Sequence, residues 1–223
     1  MVAMDGLILS DSLMRETPDE AKKALIKEFK LKSLDVESHG GETIEDLLGV
    51  GGRGDAHMDE NSYDFVFVVA GANDFNRSKE TTPIMIAKEI AKVAQTNLHL
   101  FSTRHPDANV VLATVPHREV SKRDYEHFST MKDKDWIDKT NEAISLYQHC
   151  LSVCQCHGNK VRHVISPSDH IWSELLWDDG LHLTKEGKVE MVNFIINSRP
   201  SFSLDFSDFP PLPKSFGSFS FQP

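Results

Sequence analysis

Apolar and polar positions alternate along this chain in blocks that predict strands and helices in turn. A short apolar run, Gly6-Leu7-Ile8-Leu9, reads as a buried strand and breaks at Ser10-Asp11-Ser12, small polar residues that favour a tight turn. Thr17-Pro18-Asp19-Glu20 then predicts a helix start, with Thr17 capping, Pro18 at the first helical position and Glu20 completing a capping box. Ala21, Ala24, Leu25 and Phe29 place one face of that helix inward. Leu34 to Val36 is a candidate second strand, and Thr43 to Leu48 a short helix. Tyr63 to Ala70 is the most strand-like segment, apolar on both faces as a central parallel strand should be. Thr82-Pro83 opens a helix with Ile86, Ile90, Ala94, Leu98 and Phe101 on one stripe, and Val110 to Val115 is another buried strand.

Residues 117 to 132 are polar without a clean period and read as a surface insertion near the strand ends. A helical stripe follows in Trp136, Thr140, Ile144, Tyr147, Leu151 and Cys154; Val161 to Ile165 is the last predicted strand. Thr184 caps a final helix that turns Val189, Val192, Ile195 and Ile196 inward. Strands alternating with helices at this spacing predict a three-layer α/β/α sandwich on a mostly parallel, five-stranded, flavodoxin-like sheet.

At 223 residues the chain accommodates one such domain with a full core, assigned to residues 1–198. From Arg199 the composition changes: the last 25 residues hold six Phe, six Ser and five Pro, so 199–223 are expected to form a disordered tail. Its spaced phenylalanines are candidates for short motifs that bind a protein partner, although a plain linker is the simpler account. A net charge of −10 and a pI near 5.5 argue against nucleic-acid binding and a polybasic membrane anchor. No run approaches the roughly 20 apolar residues needed to span a bilayer. Cys150, Cys154 and Cys156 do not form a disulfide framework, and no charged-then-apolar leader precedes the first strand. An intracellular, cytoplasmic setting is therefore expected.

Two local patterns carry little. Gly49-Val50-Gly51-Gly52-Arg53-Gly54 has the GxGxxG spacing but follows a helix, which is the wrong context for a dinucleotide loop; Arg53-Gly54-Asp55 reads as a flexible loop tripeptide. Cys150, Cys154, Cys156 and His157 lack the CxxC pair of common zinc sites, so no metal and no cofactor are expected.

Four separated blocks fall at the carboxyl ends of predicted strands or beyond: Ser10-Asp11-Ser12-Leu13, Gly40-Gly41-Glu42-Thr43, Gly71-Ala72-Asn73-Asp74 and Asp179-Gly180-Leu181-His182. In order and approximate spacing they resemble the blocks of the SGNH hydrolases, the GDSL family of esterases and lipases, over the chain from the first strand to about residue 197. Ser10 departs from the usual glycine of the first block. The resemblance implies a serine esterase acting through an acyl-enzyme on a small-molecule or lipid ester. It assigns Ser12 as nucleophile, His182 as base, Asp179 as the carboxylate that orients His182, and Ser12, Gly41 and Asn73 as oxyanion donors. The chemistry calls for such groups: a neutral hydroxyl needs a base, and the imidazolium that forms needs a carboxylate partner. Gly40 leaves a one-residue ambiguity with Gly41, and Asp178 competes with Asp179. The Ser-Asp-Ser wording and the tail also resemble the esterase domains of some retrotransposon proteins. A binding module for protein or RNA that keeps the fold without turnover is the alternative. His39 and His117 flank the site loops, while Trp172, Leu175, Leu176 and Trp177 either line an acyl pocket or pack against the last helix.

Overall fold

The structure, a computed structural model, describes residues 4–122, 133–153, 161–164 and 172–197. Five strands form one sheet: β1 (Met4–Ser10), β2 (Leu31–Ser38), β3 (Phe65–Val69), β4 (Asn109–Ala113) and β5 (Val161–Val164). Their order is β2-β1-β3-β4-β5 and every neighbouring pair is parallel, as the flavodoxin-like expectation requires. The connections are helical: α1 (Asp19–Phe29), α2 (Ile44–Leu48), α3 (Arg53–Glu60), α4 (Ala72–Arg77), α5 (Pro83–Arg104), α6 (Lys134–Val153) and α7 (Lys185–Asn197). No helix among the described residues is long and apolar enough to cross a membrane.

Burial on both faces explains the continuous apolar run of β3, all five residues of which are buried. Phe65 and Phe67, two residues apart and so on one face, meet Phe29 of α1 edge-on at centroid distances of 5.2 and 4.9 Å. On the other face Leu9 of β1 lies against Gly54 of α3 and Phe101 of α5, where a Cβ on Gly54 would come 2.8 Å from the Phe101 ring and 2.9 Å from the Leu47 carbonyl. α1 packs with α7, and α5 packs with α6 and α2, giving the two outer layers. The chain winds outward from β1 to β2 and then crosses back to β3. This reversal opens a crevice beyond the carboxyl ends of β1 and β3, the position where open parallel sheets bind ligands.

Three local expectations are corrected. Pro18, not Thr17, occupies the cap of α1, and Thr17 Oγ1 instead donates to the Met14 carbonyl at 2.6 Å; neither a side-chain cap nor a box with Glu20 forms. Pro18 takes ψ 147°, an extended conformation that places it just outside the helix. Arg53-Gly54-Asp55 is not a loop but the first turn of α3, with Gly54 and Asp55 buried. Packing against Phe101, together with a bond from the Gly51 amide to Asp55, overrides the poor helix propensity of the glycines. Arg118 and Ser121, expected on a surface insertion, are buried, at 2% and 9% exposure. The rest of that segment, the Cys154, Cys156 and His157 cluster and the tail lie outside the described residues; Cys150 is half-buried on α6.

Candidate active site

Ser10 ends β1 and holds the turn that follows. Its buried hydroxyl donates to the Val69 carbonyl at 2.8 Å and accepts from the Met14 amide at 3.2 Å, binding the end of β1 to β3. Asp11 caps a single 3₁₀ turn, Ser12–Met14, by accepting from the Leu13 amide at 2.9 Å. Ser12 is thereby lifted to the sheet edge at the start of the turn.

Its hydroxyl meets the ring of His182, 170 positions away, with Oγ 2.8 Å from Nε2. The other ring nitrogen, Nδ1, lies 2.9 Å from Oδ2 of Asp179. An ionised carboxylate can only accept, so Nδ1 carries the proton and Nε2 is left to accept from Ser12. The second oxygen, Oδ1, accepts from the amides of Leu181 and His182, both at 2.9 Å, which fixes the carboxylate within its own turn. Burial opposes the charge on Asp179, but the bonds from His182 and Leu181 outweigh it and hold this carboxyl below its ordinary range. Asp178, exposed and one residue earlier, makes no such contact with the ring.

Gly41, on the loop after β2, and Asn73, in the first turn of α4, flank this turn. The segment 38–41 is drawn to it by the Ser38 hydroxyl, which donates to the Asp11 carbonyl, and by the His39 amide, which donates to the Ser10 carbonyl at 3.0 Å. Gly41 has φ +86°, a conformation that favours glycine, whereas a Cβ on Gly40 would sit 3.9 Å from that of Ser12. Asn73 Nδ2 donates to the Glu42 carbonyl at 2.8 Å and carries a second hydrogen that this bond does not use. Two more bonds tie α4 to the segment 41–44: Asp74 accepts from the Ile44 amide at 3.1 Å, and Arg77 Nη2 donates to the Gly41 carbonyl at 2.6 Å.

Behind the turn lie groups to which the sequence reading gave no role. Asp11 is fully buried; desolvation pushes its carboxyl up to about 7, against the bond from Leu13. Asp74 is raised to about 6 for the same reason. Burial lowers the Arg118 guanidinium to about 10, opposed by attraction to Asp11. Asp74 stood inside a recognised block; a lone arginine after a strand gave no signal of turning inward.

Of the flanking residues, His39 is 3.2 Å from Glu37 and His117 bonds Ser145 at 2.9 Å, with burial lowering the His117 ring. Trp172 packs on Phe194 of α7, while Trp177 stays 46% exposed with its ring 6.1 Å from that of His182. A polar hollow of about 840 Å³ opens at Gly40 and Gly41, lined also by Glu42, Arg53 and Arg77; it begins beside Ser12 but neither Ser12 nor His182 lines it.

The parallel sheet, its order and the loops at its carboxyl edge match the fold of several solved esterases. A carbohydrate esterase family 3 protein from Talaromyces cellulolyticus superposes with a TM-score of 0.59 over 87% of this chain and 95% of its own, at 15% identity. An aryl esterase from M. smegmatis gives 0.56 over 87% and 97% at 17% identity. A carbohydrate acetylesterase from Sinorhizobium meliloti gives 0.55 over 87% and 97% at 19% identity. At these identities the likeness is one of fold. No protein-family model matches the sequence, and neither does any curated protein.

Proposed function

We propose that this chain is an SGNH-type serine hydrolase that cleaves carboxylic esters through an acyl-enzyme. The observation that carries the reading is the continuous run of bonds from Ser12 Oγ through His182 to Asp179, at 2.8 and 2.9 Å. In the proposed reaction Ser12 Oγ attacks the ester carbonyl carbon as its proton passes to His182 Nε2. Asp179 stabilises the imidazolium and keeps the ring oriented. The oxyanion is met by the amides of Ser12 and Gly41 and by the unused hydrogen of Asn73 Nδ2. Collapse breaks the bond to the alcohol oxygen, which takes the proton from His182. Water then repeats the sequence: it gives a proton to His182, attacks the acyl carbon, and releases the acid and a regenerated Ser12 hydroxyl. The chemistry uses only these side chains and water, so no cofactor is assigned a role.

A fluorophosphonate probe tests the nucleophile. The full chain should label at Ser12 and hydrolyse p-nitrophenyl esters, while Ser12→Ala should lose the label and about three or more decades of turnover. A folded wild-type protein that neither labels nor turns over would favour a binding module on the same fold. A p-nitrophenyl ester series of increasing chain length would define the acyl group accepted.

A further inference from the structure

The segment that follows β4 touches both halves of the candidate site. Arg118 enters the interior, where Nη2 donates to the Ala72 carbonyl at 2.5 Å and Nη1 to Asn76 Oδ1 at 2.6 Å. The guanidinium carbon lies 5.3 Å from the centroid of the Trp136 ring. Its backbone is held on both sides by Asn141 of α6, which accepts from the Arg118 amide at 2.8 Å and donates to the Arg118 carbonyl at 2.9 Å. The Ala72 carbonyl belongs to the peptide unit that leads into Asn73, so the arginine grips the backbone directly ahead of that side chain. Asp11, fully buried, attracts the guanidinium by its charge and is itself bonded by the Ala72 backbone.

The next residues grip the loop that carries Asp179 and His182. The Glu119 amide donates to the Gly180 carbonyl at 3.0 Å, and the Lys122 amide to the Asp178 carbonyl at 2.7 Å. Contact is so close that a Cβ on Gly180 would fall 2.0 Å from the Glu119 carbonyl oxygen.

We propose that Arg118 is a positioning residue, which sets Asn73 through the Ala72 carbonyl and, through residues 119–122, holds the Asp179–His182 loop in register with Ser12. The inference rests on the esterase reading above. Its consequence is that the arginine acts on the transition state and not on ground-state binding, because it touches main chain behind the donors and not the substrate. Lysine should replace it only in part, because one ammonium cannot meet Ala72 and Asn76 in the same geometry as the planar fork.

The test is a double-mutant cycle of Arg118→Met and Asn73→Ala in the full chain, read as kcat and KM on a p-nitrophenyl ester. Arg118→Met alone should lower kcat by about ten- to a hundredfold with KM within about twofold. On the Asn73→Ala background the same change should cost clearly less, since both act on one donor. A folded Arg118→Met enzyme with wild-type kcat, or one whose loss is undiminished on the Asn73→Ala background, overturns the proposal. If Arg118→Met does not fold, Arg118→Lys keeps the charge beside Asp11 and carries the test. It should show the same kcat-selective loss in smaller degree, and wild-type turnover overturns the proposal. Wild-type Ser12 labelling separates the two readings: an unlabelled, inactive wild type sinks the esterase reading and this inference together, whereas an active wild type with an Arg118→Met of wild-type kcat sinks this inference alone.

Discussion

Asn73 has two hydrogens on one nitrogen and two tasks. One hydrogen holds the Glu42 carbonyl, and the other is proposed to meet the oxyanion. Asn73→Ala removes both, so kcat should fall by about 10² to 10³. The unfolding free energy should fall by only about 1 kcal/mol, the usual worth of one such bond. Near-normal turnover would remove Asn73 from the mechanism. Asp11 leads to a different prediction. Its folded pKa, about 7, stands above the ordinary 3.8, so its contribution to stability is fully present below that ordinary value and is lost as pH rises through about 7. Asp74 adds a loss in the same direction through about 6, whereas the stabilisation from Asp179 is present above the ordinary carboxylate range and is lost as pH falls through its depressed pKa. Asp74, His182 and Arg118 are the charged or titratable groups that act on Asp11. Urea unfolding of Asp11→Asn should therefore gain on wild type as pH rises from 4 to 8. A difference that stays level with pH would show that folding does not raise the Asp11 carboxyl.

At the scale of elements, the glycine of α3 is set by what it touches. Gly54 lies 2.8 to 3.1 Å, measured from the position of an added Cβ, from the Phe101 ring, the Leu47 carbonyl and Leu9. Alanine would gain about 1 kcal/mol of helix propensity, but the helix would have to lift from α2, α5 and the sheet. Overpacking of this kind typically costs about 1 to 3 kcal/mol, so Gly54→Ala should be destabilised in urea. Equal or greater stability would show that α3 has room to shift. The same helix shows why its sequence misleads. Gly49 to Gly54 reads as loop because propensity is local, whereas what makes Arg53–Glu60 a helix is contact with α5 and a bond from Gly51 to Asp55. β3 and α5 were legible for the opposite reason: an unbroken apolar run and a proline-led stripe carry their environments within themselves.

For the whole molecule, the sheet order and the block positions could be read because three blocks close strands that the hydrophobic pattern marks and the fourth stands just ahead of the last helix. Arg118 could not. Its partners are a main-chain carbonyl at position 72, an amide side chain at 76 and a ring at 136, and nothing in its neighbours along the chain indicates them. Polar character near a strand end ordinarily means solvent, and here it means a buried joint.

Joining residues 12 and 182 has a temporal consequence. Ser12 comes from the first turn of the chain, while His182 stands only a few residues ahead of α7, which packs on α1 and whose Lys188 reaches the Arg15 carbonyl. A growing polypeptide can complete β1 and its turn long before the residues that would arm that hydroxyl have been synthesised. On the proposed reading the serine remains an ordinary alcohol until His182 is brought to it, so reactivity at Ser12 should appear only after residues 179–182 have been made and folded.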